Sequence, residues 1–318
     1  MNKKIYINFP INGGVKQFSE KLQSKFNKNS DMKFCYLGLS KLSKLKIFKY
    51  FFYKNVWFSN NNIFIYLFIP FYLFKVSIIL HDHKVRDNSS FKEKILNFLF
   101  RMFRFRFDKI IIHQNIGPDA ERLLTYSNVI YRYMPPHGFN IIPTCNHDYN
   151  YERVKILCFG RIEEYKNLEF FAEAISGTEG IQLTIAGSGH VSEKLRILEK
   201  CDNIQIINRY IDDNEVVELI SDTDFLALPY KSITQTTLID MSGAYHKPVI
   251  LSNIKEFDSY KNKNHVVIID ILSLERTKNT LLELNELDSD VYKDMCSSSY
   301  NSFLEAEGFW DEYVEEIQ

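Results

Sequence analysis

Between residues 155 and 189 the chain spells out a strand, a helix and a second strand, and this segment limits the possible folds more than any other. Lys155 to Phe159 is a short apolar run and Gly160 breaks it. Leu168 to Ile175 has amphipathic helical spacing, and Gln182 to Ala186 is a second apolar run closed by Gly187-Ser188-Gly189. Strands that alternate with helices indicate a parallel, doubly wound α/β sheet. The turn that leaves the first strand carries Arg161 and Lys166, five residues apart. A guanidinium that can fork onto phosphate oxygens, with an ammonium beside it at a strand end, suits a diphosphate.

The same alternation continues to the end of the chain. In the second half, strands are expected at Ile204 to Ile207, Phe225 to Leu228, Pro248 to Leu251 and Val266 to Ile269, and a terminal helix over Ser302 to Ile317. In the first half the expected strands are Ile5 to Asn8, Met32 to Leu37, Ile63 to Phe68, Val76 to Leu80, Lys109 to His113 and Val129 to Tyr133. The expected helices there are Val15 to Phe26, Ser90 to Phe105 and Pro118 to Leu124. Ile142 to Tyr151 is polar and turn-rich, as an interdomain linker would be. The apolar run Ile63 to Leu80 is interrupted by Pro70 and Lys75, which favours two buried strands over a membrane span.

A chain of 318 residues with 45% hydrophobic content can bury two cores. The net charge of −1 conceals an asymmetry: residues 1–150 hold 23 Lys and Arg against 9 Asp and Glu, and residues 151–318 hold 16 against 31. A basic, aromatic half suits an anionic substrate or an anionic membrane surface, or else attraction between two oppositely charged halves. No nucleic-acid module accompanies the charge, so nucleic acid is not an expected partner. Five cysteines, with no C-x-x-C pair, indicate a reducing compartment and no zinc site. Met1-Asn2-Lys3-Lys4 runs straight into Ile5-Tyr6-Ile7, without the pattern of a signal peptide.

Gly160-Arg161 with Tyr165-Lys166-Asn167 and the Ala186-Gly187-Ser188-Gly189 turn resemble the donor-binding domain of nucleotide-sugar glycosyltransferases with two Rossmann-like domains (the GT-B type, families 1 and 4). Leu228-Pro229-Tyr230, Thr234-Gln235-Thr236-Thr237 and Ala244-Tyr245-His246-Lys247-Pro248-Val249-Ile250 extend the resemblance over roughly residues 153–255. It implies two doubly wound parallel sheets with a cleft between them. Residues 1–145 would bind the acceptor, residues 146–300 the nucleotide sugar, and residues 301–318 would cross back as a helix. The implied substrate is a UDP- or GDP-linked sugar, with no tightly bound cofactor and no metal. The implied acceptor is a saccharide, lipid-linked and met by a peripheral enzyme at the inner face of the cytoplasmic membrane, in surface polysaccharide assembly such as O-antigen or capsule.

The resemblance also assigns residues. Gly160, Arg161, Lys166 and Gly187 would meet the donor diphosphate, with Gly13 and Gly14 bringing a loop of the first domain beside it. Thr234, Gln235, Thr236 and Thr237 would cap a helix toward the donor. The backbone of Tyr210 and Ile211 would touch the nucleobase; read from the residues alone, Asp213 or Glu215 caps the helix that follows. Many retaining members place two glutamates around the donor sugar; this chain has Ile233 and Met241 there, with Asp240 a weak substitute, which leaves retention or inversion open. Asp82 or His81, rather than His83, would take the proton of the acceptor hydroxyl, and His137 would sit at the domain junction. Two other readings stand beside the transferase: a sugar-nucleotide epimerase of the same fold, and a non-catalytic subunit that binds nucleotide sugar or a partner transferase.

Overall fold

The computed structural model describes residues 3–9, 14–26, 31–38, 45–81, 91–113, 118–138, 149, 152–233 and 236–318. The chain divides into two compact units, Met1–Gly138 with Ala306–Gln318, and Phe139–Glu305.

The first unit runs β1 (Lys4–Asn8), α1 (Gly14–Lys25), β2 (Met32–Tyr36), β3 (Asn55–Phe58), α2 (Ile63–Phe68), β4 (Lys75–Leu80), α3 (Phe91–Phe103), β5 (Lys109–Ile112), α4 (Pro118–Leu124) and β6 (Val129–Tyr131). The strands form one parallel sheet in the order β2-β1-β3-β4-β5-β6. Val76 to Leu80 and Ile110 to Ile112 are buried throughout, as strands covered on both faces must be. Phe18 and Leu22 of α1 pack on one face with Tyr6, Trp57, Ile79 and Ile111. Ile65 and Phe68 of α2 and Phe100 of α3 pack on the other with Ile78 and Ile110.

Ile63 to Phe68 is therefore a helix and not the expected strand. Asn62 caps it, its side chain accepting from the Phe64 amide, and Pro70 opens a 3₁₀ turn at Ile69–Phe71. Ile65, Phe68, Ile69 and Tyr72 face inward at helical spacing, a pattern that a short aromatic and β-branched run hides. No helix among the described residues is long and apolar enough to cross a membrane.

The second unit runs β7 (Val154–Phe159), α5 (Leu168–Ile175), β8 (Ile181–Ala186), α6 (Glu193–Leu198), β9 (Ile204–Ile207), α7 (Asp213–Ser221), β10 (Phe225–Leu228), α8 (Leu238–Ala244), β11 (Val249–Ser252), β12 (Val266–Ile269) and α9 (Leu274–Leu282). Its parallel sheet has the order β12-β11-β10-β7-β8-β9. The chain leaves β7 toward β8 and β9, then returns to the other side of β7 with β10, so the strand order reverses between β7 and β10. Ligands of open α/β sheets bind outside the carboxyl ends of the strands at such a reversal.

The last helix, α10 (Ser289–Ile317), has 29 residues, far more than the expected Ser302 start allows. Tyr292, Met295, Ser299, Phe303, Ala306, Trp310, Tyr313 and Ile317 are buried at a spacing of three to four, and Ser299 interrupts the apolar stripe that would have shown it. In the second unit Tyr292 Oη donates to the Asp224 carbonyl at 2.9 Å; in the first, Trp310 Nε1 donates to the Pro136 carbonyl at 3.1 Å.

Candidate donor site and a histidine cluster

The loop after β7 is held by its own backbone. Gly160 N donates to Ala186 O at 2.9 Å and Ile162 N to Ser188 O at 3.0 Å, so the ladder between β7 and β8 continues past both strands. Gly187 has a φ of 148°, and a Cβ there would lie 2.2 Å from the Gly160 carbonyl oxygen. Only glycine allows that approach. Gly187 contributes clearance, because its amide is already engaged by the Ile207 carbonyl at 3.0 Å.

Lys166 turns back under this loop. It is buried, and its Nζ donates to the Phe159 carbonyl at 2.9 Å. Gly160, at a φ of 99°, leaves room for it, since a Cβ would meet Nζ at 2.8 Å. Asn167 follows in the left-handed region, φ 56°, which lets the chain turn sharply from the Glu164–Lys166 3₁₀ turn into α5. Across the strand reversal, Lys231 N of the loop after β10 donates to the Tyr165 carbonyl at 2.8 Å, and Lys166 Nζ lies 5.6 Å from the centre of the Tyr230 ring. A cation over an aromatic face is attracted by the ring quadrupole. The ammonium therefore sits where the loops after β7 and β10 meet.

Burial pushes the Lys166 ammonium down to about 8 from an ordinary 10.5; Cys158 and Glu163 hold it up and Arg161 lowers it further. In the free protein this cation is present below about pH 8 and is lost as pH rises through it. Because the unfolded chain keeps its proton to higher pH, the same shift costs stability at neutral pH and the cost is relieved between about pH 8 and 10.5. We expect the affinity of the protein for a nucleoside diphosphate, measured by titration calorimetry, to fall as pH is raised through about 8; an affinity independent of pH over that range would remove Lys166 from the site.

Arg161 is exposed and pairs with Glu163 at 2.8 Å. An exposed pair of this kind is worth about 0–1 kcal/mol, so a dianionic ligand can displace the carboxylate.

The remaining expected donor contacts are distributed over this unit. Thr236 Oγ1 accepts from Leu238 N at 3.1 Å and Thr237 precedes α8, while Thr234 and Gln235 lie outside the described residues. Met241 and Asp240 are buried. Tyr210 is exposed and Ile211 is buried in the core, both on the loop between β9 and α7. The cap of α7 is Asp212 and not Asp213 or Glu215: Asp212 has extended backbone and accepts from the amides of Asn214 and Glu215. Glu215 instead pairs with both terminal nitrogens of Arg209, one at 2.6 Å.

In the first unit the structure gathers three histidines that the sequence scatters. His81 follows β4 and His113 follows β5, with their neighbours Leu80 and Ile112 in register. Their rings lie 4.8 Å apart, and Phe18 of α1 stands 4.8 Å from His81, 5.9 Å from His113 and 5.3 Å from His137. Tyr313 Oη is 2.8 Å from His113 Nδ1, and His137 Nδ1 is 2.8 Å from the Pro135 carbonyl. Burial lowers the pKa of His81, with His113 and His137 adding to the effect, and burial also lowers that of His137. Both imidazoles are neutral at neutral pH. Among the described residues His81 Nε2 has no hydrogen-bond partner. Asp82, His83 and Gly13 lie outside the described residues; Gly14 opens α1, where a Cβ would meet nothing within 4 Å. His113 was missed by sequence reasoning, although two apolar runs that each end in His were the available signal. Among the described residues no group of three His, Cys, Asp or Glu side chains could hold a metal ion.

Residues 153–283 match the family model described as glycosyl transferases group 1. The match lies within the second unit. The chain shares the GT-B fold, two doubly wound α/β sheets, with solved glycosyltransferase structures. A glycosyltransferase from Rickettsia africae ESF-5 is 14% identical with a TM-score of 0.70, covering 99% of this chain and 98% of that one. Anabaena Alr3699/HepE, solved with UDP, is 10% identical with a TM-score of 0.72 and 99% coverage of both chains. A sucrose-phosphate synthase from Thermosynechococcus elongatus is 14% identical with a TM-score of 0.69 and 98% coverage of both. No curated protein sequence matches the chain.

Proposed function

We propose that the protein transfers a sugar from a nucleoside-diphosphate sugar to a saccharide acceptor, lipid-linked and met at the inner face of the cytoplasmic membrane, in the assembly of a bacterial surface polysaccharide. The observation that carries this reading is the placement of Arg161 and the buried Lys166 at the strand reversal between β7 and β10, within the residues that match the group 1 glycosyl transferases. When the anomeric C–O bond breaks, the electron pair leaves with the diphosphate, and fixed cations stabilise the charge that develops there. The acceptor hydroxyl forms the new bond and gives up its proton. Asp82 or His81, which follow β4 in sequence, would receive it. In this reading the first unit holds the acceptor and the second the donor. The donor base is uridine or guanosine, and UDP in the Anabaena structure of the same fold supports uridine.

A second reading, a donor-binding subunit that serves a partner transferase, is favoured by Ile233 and the buried Met241 standing where many relatives carry carboxylates. One assay separates the two. Purified protein is incubated with a panel of labelled nucleotide sugars and a lipid-linked saccharide extract. The transferase moves label into the lipid fraction and releases the nucleoside diphosphate. Tight nucleotide binding without transfer supports the subunit, and an isomerised nucleotide sugar formed without acceptor would mean an epimerase.

A further inference from the structure

The first unit has a second feature, on the edge of its sheet opposite to His81. In the order β1-β3-β4-β5, Lys4 pairs in register with Asn55 and Asn55 with Lys75, so the amino ends of these strands lie along one line. The segments that lead into β3, β4 and β5 each bring a large apolar side chain into solvent there: Phe52, then Phe71 and Leu73, then Phe105. Leu73 and Phe52 are 88% exposed, although both are side chains that folding ordinarily buries. Phe98 and Met102 of α3 continue the exposed stripe toward Phe105 at intervals of four and three residues. Folding alone does not account for so many exposed apolar side chains on one side of a unit.

The charge on this side is equally one-sided. Residues 49–55, 69–75 and 101–108, which lead into these strands, hold six Lys and Arg against Asp108. Three acids of the terminal helix are paired with bases of this unit: Glu307 with Lys21 and Lys25, Glu312 with Arg132, and Glu316 with Arg132 and Lys109. Two ion pairs lie on this edge among the described residues, Lys75 with Asp108 at 3.4 Å and Lys109 with Glu316 at 2.7 Å, and Lys54 and Arg106 have no carboxylate partner among those residues. Lys54, Lys75 and Arg106 line, with Leu73, Phe74 and Phe105, a cavity of about 870 Å³. Apolar tips that can enter the boundary between headgroups and acyl chains, ringed by bases that attract anionic headgroups, make two independent contributions to membrane binding, and stable peripheral attachment requires two.

We infer that this edge, from Phe52 through Leu73 to Phe105, docks on an anionic phospholipid membrane, with a headgroup phosphate among Lys54, Lys75 and Arg106 and the aromatic and leucine tips in the interface. This names the surface behind the membrane location proposed above and does not depend on the sugar chemistry. The test is sedimentation of the full chain with phosphatidylcholine vesicles, with and without phosphatidylglycerol. The chain should sediment with the mixed vesicles, weakly with phosphatidylcholine alone, and less as salt rises. Leu73→Ser with Phe105→Ser should weaken binding about tenfold or more while leaving the melting midpoint and nucleotide affinity unchanged, because both side chains are exposed. Lys54→Glu should weaken it about fivefold or more at low salt. The inference is overturned if the wild-type chain stays in solution with the mixed vesicles at low salt, or if the double variant sediments as wild type does. It is also overturned if the double variant abolishes a lipid-independent dimer and vesicles bind neither protein, which would make the surface a contact between copies. Vesicle binding by a chain that transfers no sugar would leave this surface standing and remove the transferase reading.

Discussion

Arg161→Ala lowers the rate of sugar transfer by about 10²–10³-fold and leaves the melting midpoint unchanged. The side chain is exposed, and its pair with Glu163 contributes about 0–1 kcal/mol to the fold, so its removal is felt when negative charge develops on a leaving diphosphate. Lys166→Met produces a loss of at least the same order for the same reason. The Phe159 carbonyl loses its donor at 2.9 Å, at a cost of about 1–3 kcal/mol, while the cost of burying the ammonium is relieved, so the two effects offset and the melting midpoint changes little. The two changes together cost less than the product of the single losses if both cations hold one diphosphate. Steady-state kinetics with saturating donor, and thermal melts of each variant, measure both effects. Transfer at the wild-type rate by either variant would mean that the diphosphate binds elsewhere.

Gly187→Ala is expected to be strongly destabilising. The new Cβ would lie 2.2 Å from the Gly160 carbonyl oxygen, and the φ of 148° is strained for any L side chain. Neither backbone can easily retreat, since Gly160 N is bonded to Ala186 O and Gly187 N to Ile207 O. The strain and the clash together cost roughly 3 kcal/mol or more, and relief by opening the loop would also displace Lys166. Chemical denaturation of the variant measures the loss. Gly308→Ala is the contrasting change: it lies in the exposed interior of α10 with nothing within 4 Å of the new methyl, and should stabilise by about 0.5–1 kcal/mol. A Gly187→Ala protein as stable as wild type would show that the close approach of the two loops is not part of the native structure.

The second unit was more legible in the sequence than the first, for physical reasons. Its strands are short apolar runs separated by helices with clear amphipathic spacing, and all six appear within two residues of their expected limits. Glycines at strand ends marked Gly160 and Gly187, and the positive φ at both explains why glycine stands there. In the first unit, runs of Phe, Tyr and Ile serve helix and strand equally. Ile63 to Phe68 took the helix because Asn62 caps it, and the four-residue strand Asn55–Phe58 was too short to announce itself. The length of α10 was hidden by Ser299, a polar residue buried on the helix's inner face, where its Oγ donates to the Lys247 carbonyl at 2.8 Å. The histidine cluster depends on strand register, since residues 32 positions apart meet only when β4 and β5 pair. The capping of α7 by Asp212 turned on backbone angle, which three neighbouring acids in sequence do not reveal.

The most direct measurement is a calorimetric titration of UDP and of GDP into the wild-type protein and into Arg161→Ala at neutral pH. One of the two nucleotides should bind the wild-type chain, and Arg161→Ala should weaken that nucleotide about tenfold or more, as loss of a charge-assisted contact of about 1.5–3 kcal/mol requires. Absence of binding by either nucleotide, or equal affinity in the two proteins, would contradict a diphosphate site at the strand reversal between β7 and β10.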